Sequence, residues 1–83
     1  MAGSRVGRVT HYFDRIGVAA ITLEDDLAKG DRVQFVRRGQ VLFEQEVASM
    51  QIDRRNIESA RKGDDIGLRV LEEVKEGTEV YRL

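Results

Sequence analysis

The 83-residue chain contains no cysteine and no proline, and it has one histidine, His11. Without cysteine it can form neither a disulfide framework nor a thiolate zinc site, so apolar packing and backbone pairing must hold it together. The same absence fits a reducing cytoplasm. No apolar run approaches the ~20 residues that a membrane-spanning helix needs. The opening MAGSRVGRV lacks the apolar segment of a secretion signal. Net charge is −1, which removes any global attraction to nucleic acid. A cytoplasmic protein with no membrane partner is expected.

Motifs that carry chemistry are equally scarce. A phosphate-binding loop closes in Gly-Lys-Ser/Thr, so that backbone amides and the lysine hold the phosphates. Here the order is Lys62-Gly63-Asp64, which puts carboxylates where the anion would sit. DRIG, Asp14 to Gly17, matches a loose GTPase pattern that carries no weight without that loop. Asp64 and Asp65 are neighbours on an extended run and point to opposite faces, so they do not converge on one ion. Glu24, Asp25 and Asp26 lack the spacing of a calcium loop. Ser4, Ser49 and Ser59 sit in no nucleophile motif, and His11 without a partner reads as a structural or surface residue. Tyr12 and Phe13 beside it read as packing residues. No catalytic residue, no cofactor, no metal and no nucleotide hydrolysis are expected.

Short alternating runs are what the chain has in quantity. In DRVQFV, Val33 and Phe35 point inward while Arg32 and Gln34 point outward. In IGLRV, Ile66, Leu68 and Val70 point inward and Arg69 outward. TEVYRL is a third such run. VLFEQEVASMQI changes phase: Val41, Phe43 and Val47 share one face, Met50 and Ile52 the other, which predicts a β-bulge near Ala48 and Ser49. IGVAAITL predicts a similar break around Ala19 and Ala20, between Ile16 and Val18 on one side and Ile21 and Leu23 on the other. Gly30, Gly39, Gly63 and Gly77 stand between runs, where turns demand a residue tolerant of positive φ. The one helical signal is a single turn capped by Asn56 and ending at Gly63. The pattern predicts an all-β fold, a small closed barrel of about six strands. One domain over residues 1–83 is expected, with residues 1–4 disordered.

Basic residues occur in pairs: Arg37-Arg38, Arg54-Arg55 and Arg61-Lys62. All fall in predicted turns or strand ends. Gathered on one rim they would make a positive patch suited to phosphate and stacked bases. The competing reading is a solvated surface neutralised by nearby carboxylates, which the near-neutral net charge favours.

The order of four segments carries a resemblance. GRV (Gly7 to Val9), AKGDRVQF (Ala28 to Phe35), VASMQI (Val47 to Ile52) and ARKGDDIGLRV (Ala60 to Val70) follow one another as in domain II of translational GTPases such as elongation factor Tu. The chain more closely resembles small translation elongation factor-like proteins and the barrel appended to some collagenase-like peptidases. The resemblance spans Val6 to Leu83. It implies a closed six-stranded Greek-key barrel, in which Gly63 turns the chain, Ile66 and Leu68 enter the core and Gly67 admits a neighbouring strand. RRGQVLF departs from the stand-alone relatives, which carry small polar residues where Gln40, Val41 and Leu42 stand. The function this implies is a non-catalytic binding module of translation or RNA modification, contacting tRNA or ribosomal RNA through the turn arginines. The alternative is a protein-interaction accessory subunit of a peptidase-like or other enzyme, with a larger protein as partner.

Overall fold

The computed structural model describes residues 4–83. The expected disorder of residues 1–3 lies outside them, and Ser4 opens the first strand. Ten strands follow in chain order: β1 Ser4–Phe13, β2 Val18–Leu23, β3 Leu27–Ala28, β4 Arg32–Arg37 and β5 Gln40–Glu46 come first. The remainder are β6 Met50–Ile52, β7 Arg55–Ile57, β8 Ser59–Ala60, β9 Asp65–Arg69 and β10 Glu79–Arg82. Eight of them form one antiparallel sheet in the order β5-β4-β10-β1-β2-β9-β6-β7, and β3 pairs with β8 as a separate ribbon.

That order forces a curl. β5 and β6 stand six places apart, which in a flat sheet is ~29 Å. Only residues 47–49 join them, and four residue steps reach at most ~14 Å. The sheet therefore bends until β5 meets the end of β9. No strand ladder joins β5 to β9 among the described residues; a side chain does. Gln45 donates its Nε2–H to the Arg69 carbonyl at 2.8 Å, and its Oε1 accepts the Leu71 N–H at 2.8 Å. The buried carboxamide thus makes the pair of bonds that a facing strand residue would make.

Inside the curl lie Val6, Val9, Ile21, Val33, Phe35, Met50, Leu68 and Val80, all essentially inaccessible to solvent. Phe43 packs on this core and stacks with Phe35, ring centroids 4.7 Å apart. If the end at which β1 and β9 finish is called upper, Val74 from the β9–β10 crossover closes the upper end. Leu27, paired through β3 to Ala60, closes the lower end. At Gly7 an added Cβ would lie 2.8 Å from both Ile21 Cγ2 and the Thr22 carbonyl oxygen. Glycine there lets β1 cross β2 closely. At Gly67 an added Cβ would lie 3.3 Å from Val18 Cγ1 and 4.0 Å from the Gln51 carbonyl oxygen.

The all-β expectation holds, while the pairing is that of an open, curled sheet in place of six strands laddered shut. β2 keeps strict alternation, with Ala19, Ile21 and Leu23 inward and Ile16 and Val18 outward, so the break expected at Ala19 and Ala20 is absent. Residues 48 and 49 are not a bulge within one strand; they belong to the link between β5 and β6. The bulge of this region is at Leu42, where β4–β5 pairing jumps from Phe35↔Phe43 to Val36↔Val41. The expected helical turn after Asn56 is replaced by β7 and β8, whose ladders to β6 and β3 take up the backbone bonds. Gln34 faces outward yet is buried, because its Nε2 bonds Glu44 Oε2 at 3.0 Å on the adjacent strand.

Turn glycines Gly30, Gly39, Gly63 and Gly77 all have positive φ. So do Arg38, Asp53 and Arg54. Two-residue loops between paired strands favour this left-handed geometry, and a side chain there costs roughly 1 kcal/mol. Replacing Arg54 by glycine, which makes the loop Asp-Gly, is expected to stabilise the protein by about 0.5–1 kcal/mol in urea unfolding. Gln45→Ala strips Arg69 and Leu71 of buried partners and is expected to cost about 2–4 kcal/mol. A loss below ~0.5 kcal/mol, the scale of an ordinary surface change, would show that the carboxamide does not hold the seam.

Candidate interaction surface

Antiparallel pairing fixes which turns share an end. With β1 running upward, β4 and β9 also run upward, and β2, β5, β6 and β10 run downward. The β4–β5 tip, with Arg37 and Arg38, is therefore at the upper end. The β6–β7 tip, with Arg54 and Arg55, and the turn of Arg61 and Lys62 before β9 are at the lower end. The three basic pairs do not form one rim. Asp64 accepts the Arg61 backbone N–H at 2.8 Å, and Asp53 precedes Arg54 in its turn, so acid accompanies base at the lower end. Gly63, with Lys62 and Asp64, turns the chain into β9, and Gly39 turns β4 into β5.

The upper end is distinguished by apolar exposure. Leu71 is 76% exposed, Ile16 59% and Phe13 46%, and Val41 and Leu42 are also exposed. Among the described residues the other large exposed apolar side chain is Leu83, at the lower end beside Arg32. The elements carrying the upper group are tied together by the crossover from β9 to β10. Its start bonds the β1–β2 turn, Val70 N–H to the Gly17 carbonyl at 3.0 Å. Its end receives the Arg37 guanidinium on the Glu76 carbonyl at 2.9 Å. These bonds tie the crossover to the β1–β2 turn and to the β4–β5 hairpin. Exposed apolar side chains on elements that also carry arginine have the composition of a protein-contacting surface.

His11 sits at the margin of this surface, its ring edge-on to Phe13 at 4.5 Å and its Nδ1 3.5 Å from Glu76 Oε2. An open groove of about 570 Å³ runs past it, lined by Asp14, Glu73, Lys75 and Glu76. No serine or threonine oxygen bonds His11 among the described contacts. Among the described residues no cluster of three His, Asp or Glu side chains is placed to hold a metal ion, and no helix is long and apolar enough to cross a membrane.

Sequence reasoning missed Gln45, Leu42 and Leu71. Gln45 lies in phase with Val41, Phe43 and Val47, so its inward direction was readable; its two partners were not. The adjacent Val41 and Leu42 cannot both face inward on a regular strand, and the bulge turns both out.

Ion pairs gather elsewhere, on the β1–β10 face. Arg5 reaches Glu24 at 3.0 Å and Glu79 at 3.5 Å. The Tyr81 hydroxyl donates to Glu79 Oε1 at 3.0 Å, and this bond, with desolvation, raises the phenol above its ordinary 10.0. A raised folded-state pKa means that the stabilisation is complete below pH ~10 and is lost as pH climbs through the folded value. In tyrosinate absorbance, Glu79→Gln is expected to move the Tyr81 midpoint downward. An unmoved midpoint would remove Glu79 as the cause.

No protein-family model matches the chain. It is 36% identical over 78 residues to a protein described as an uncharacterized protease of Methanocaldococcus jannaschii, a match that covers 94% of this chain and 19% of that protein. The chain therefore spans about a fifth of the length of this curated relative. In three dimensions it superposes on the C-terminal domain of a Geobacillus thermoleovorans protein with a provisional U32 peptidase assignment, at a TM-score of 0.88 and 17% identity. That match covers 96% of this chain and 92% of the domain. The selenomethionine variant of the same domain gives 0.87 and 18% identity, over 94% and 98% of the two chains. These similarities fit the barrel appended to peptidases and not the elongation-factor resemblance: the chain has the fold of a peptidase-associated C-terminal domain.

Proposed function

We propose that this chain is a non-catalytic accessory module of a larger peptidase-like protein, acting through protein contacts. The observation that carries this reading is the match to one fifth of a protease-described relative over nearly all of this chain. The superposition on a peptidase's C-terminal domain supports it. So does the upper end, which exposes large apolar side chains. The same reading takes the curled sheet as a Greek-key barrel that Gln45 closes, working in the cytoplasm. The RNA-binding reading lacks support, since its arginines are divided between two ends of a protein of net charge −1.

Affinity capture of the tagged protein from its own cells, with nuclease treatment, tests the choice. A peptidase-like protein retained after digestion is the expected result, together with no salt-sensitive binding to bulk tRNA. Loss of the partner on digestion, or tRNA binding that falls steeply with salt and disappears in Arg54→Ala/Arg55→Ala, would restore the RNA reading.

A further inference from the structure

The structure assigns a ligand site to the side of the sheet: a hollow that takes the C-terminal residue of a peptide. Its carboxylate would sit on Arg69 and its apolar side chain against Ile16 and Val18. The inference rests on the accessory reading only for where such peptide ends arise, and its test needs no larger protein.

Strand pairing builds the hollow. On the outward face of β2, β9 and β6, Val18 stands opposite Arg69, and Gly67 stands between Ala20 and Gln51. Ile16, Val18, Ser49, Gln51, Gly67 and Arg69 line a space of about 260 Å³. The bond from the Val70 N–H to the Gly17 carbonyl, 3.0 Å, holds the Ile16 turn beside the end of β9. Of the exposed apolar residues at the upper end, only Ile16 takes part.

Gly67 is the floor, and the backbone does not require glycine there. Its φ is not positive, and the β2–β9 ladder runs past it without a shift in register. Glycine inside a strand weakens it and marks a bulge, a tight bend or close approach from outside. An alanine would ask Val18 Cγ1, 3.3 Å from its Cβ, to give by a few tenths of an ångström. The Gln51 carbonyl oxygen, at 4.0 Å, is at ordinary contact distance. No neighbouring backbone fills the space that the missing side chain leaves, so the floor is open to a ligand.

The lining is divided by chemistry. On the β2 side it is apolar, with Val18 half-buried and Ile16 largely exposed. On the β6 side it is polar and neutral. Gln51 donates its Nε2–H to Asn56 Oδ1 at 3.1 Å, which orients the carboxamide and leaves Oε1 able to accept. Arg69 is the one charge of the lining, and no ion pair among the described residues uses it.

The last residue of a peptide carries a group for each part. Its carboxylate matches the planar fork of Arg69. Its N–H matches Gln51 Oε1, and an apolar side chain covers Ile16 and Val18. An inorganic anion would leave the apolar wall wet, and a neutral apolar ligand would cover the guanidinium without pairing it, which is costly. An aspartate or glutamate side chain brings a carboxylate without the apolar branch. The volume suits one residue, since drug-sized ligands occupy ~300–1,000 Å³. Each peptide bond that is hydrolysed creates one such end, so an accessory domain of a peptidase-like protein meets this ligand.

Heteronuclear NMR of the full chain, titrated with N-acetyl-Ala-Ala-Leu, is the test. A contact of one residue supports a dissociation constant on the order of 1 mM. Saturable shifts of the Gly67, Arg69 and Ser49 amides with that constant are expected. Replacing the free carboxylate by a carboxamide should weaken binding at least ~10-fold, the scale of one charge-assisted bond. Arg69→Gln, at an exposed position, should weaken the acid to the level of the amide. Ile16→Ser should weaken the leucine-ended peptide about 5-fold and leave a glycine-ended one unchanged. Circular dichroism melts confirm that each variant is folded. No shifts at ~10 mM peptide, well above the expected constant, overturn the proposal. Equal binding of acid and amide, or an Arg69→Gln variant that binds like wild type, overturns it too. So does inorganic phosphate that moves the same amides with the peptide's affinity, which marks a bare anion site. Capture of a peptidase-like partner without peptide binding would sink this site alone; peptide binding without such a partner would sink the accessory role alone.

Discussion

A three-residue link between strands six places apart in the sheet order is the constraint on which the architecture depends. It makes a flat sheet impossible and brings β5 against the end of β9. Two strand edges brought so close would leave backbone groups facing each other without partners, and such groups are costly once water is excluded. Gln45 resolves this with one side chain. Its carboxamide has the same donor and acceptor as a peptide unit, so it can stand in for a strand exactly one residue long. A hydrophobic residue at that position would pack against the core but would leave the Arg69 carbonyl and the Leu71 amide unsatisfied. The buried glutamine is therefore part of the topology and not an exception to it.

How much of this was legible in the sequence follows from how local each feature is. The inward faces of β4 and β9 depend only on alternation, and Val33, Phe35, Ile66, Leu68 and Val70 are buried where alternation puts them. The absence of β2's expected break has an equally simple cause. Ile16 and Val18 are apolar but outward, and alternation alone does not say which of two apolar faces meets the core. Features that need a second segment were out of reach. The burial of Gln34 depends on Glu44 across the hairpin, and the seam depends on contacts between residues 45 and 69–71. The distribution of the arginine pairs between two ends was likewise a property of strand direction, and no count of basic residues contains it.

The bulge at Leu42 joins the architecture to the candidate surface. An extra residue on β5 inverts the side-chain phase above it, so Val41 and Leu42 both turn outward beside Arg37 and Arg38. The same distortion blunts β5 as an edge, since a bulged strand does not accept a regular partner along its whole length. Exposure of apolar side chains and protection of the edge thus come from one local irregularity.

An accessory role asks a small domain to carry a tether and a contact together, and the strand directions keep the two apart. Ser4 and Leu83 lie at the lower end, so a larger protein continuous with either would occupy that side. Phe13, Ile16 and Leu71 lie at the other. The two ends are separated by the length of β1 and are closed by different side chains of one core cluster, Leu27 below and Val74 above. A domain built this way can hold a tether on one side and a contact on the other without either competing for the core. That separation is the physical reason to treat the upper face as a working surface, one that folding alone does not require.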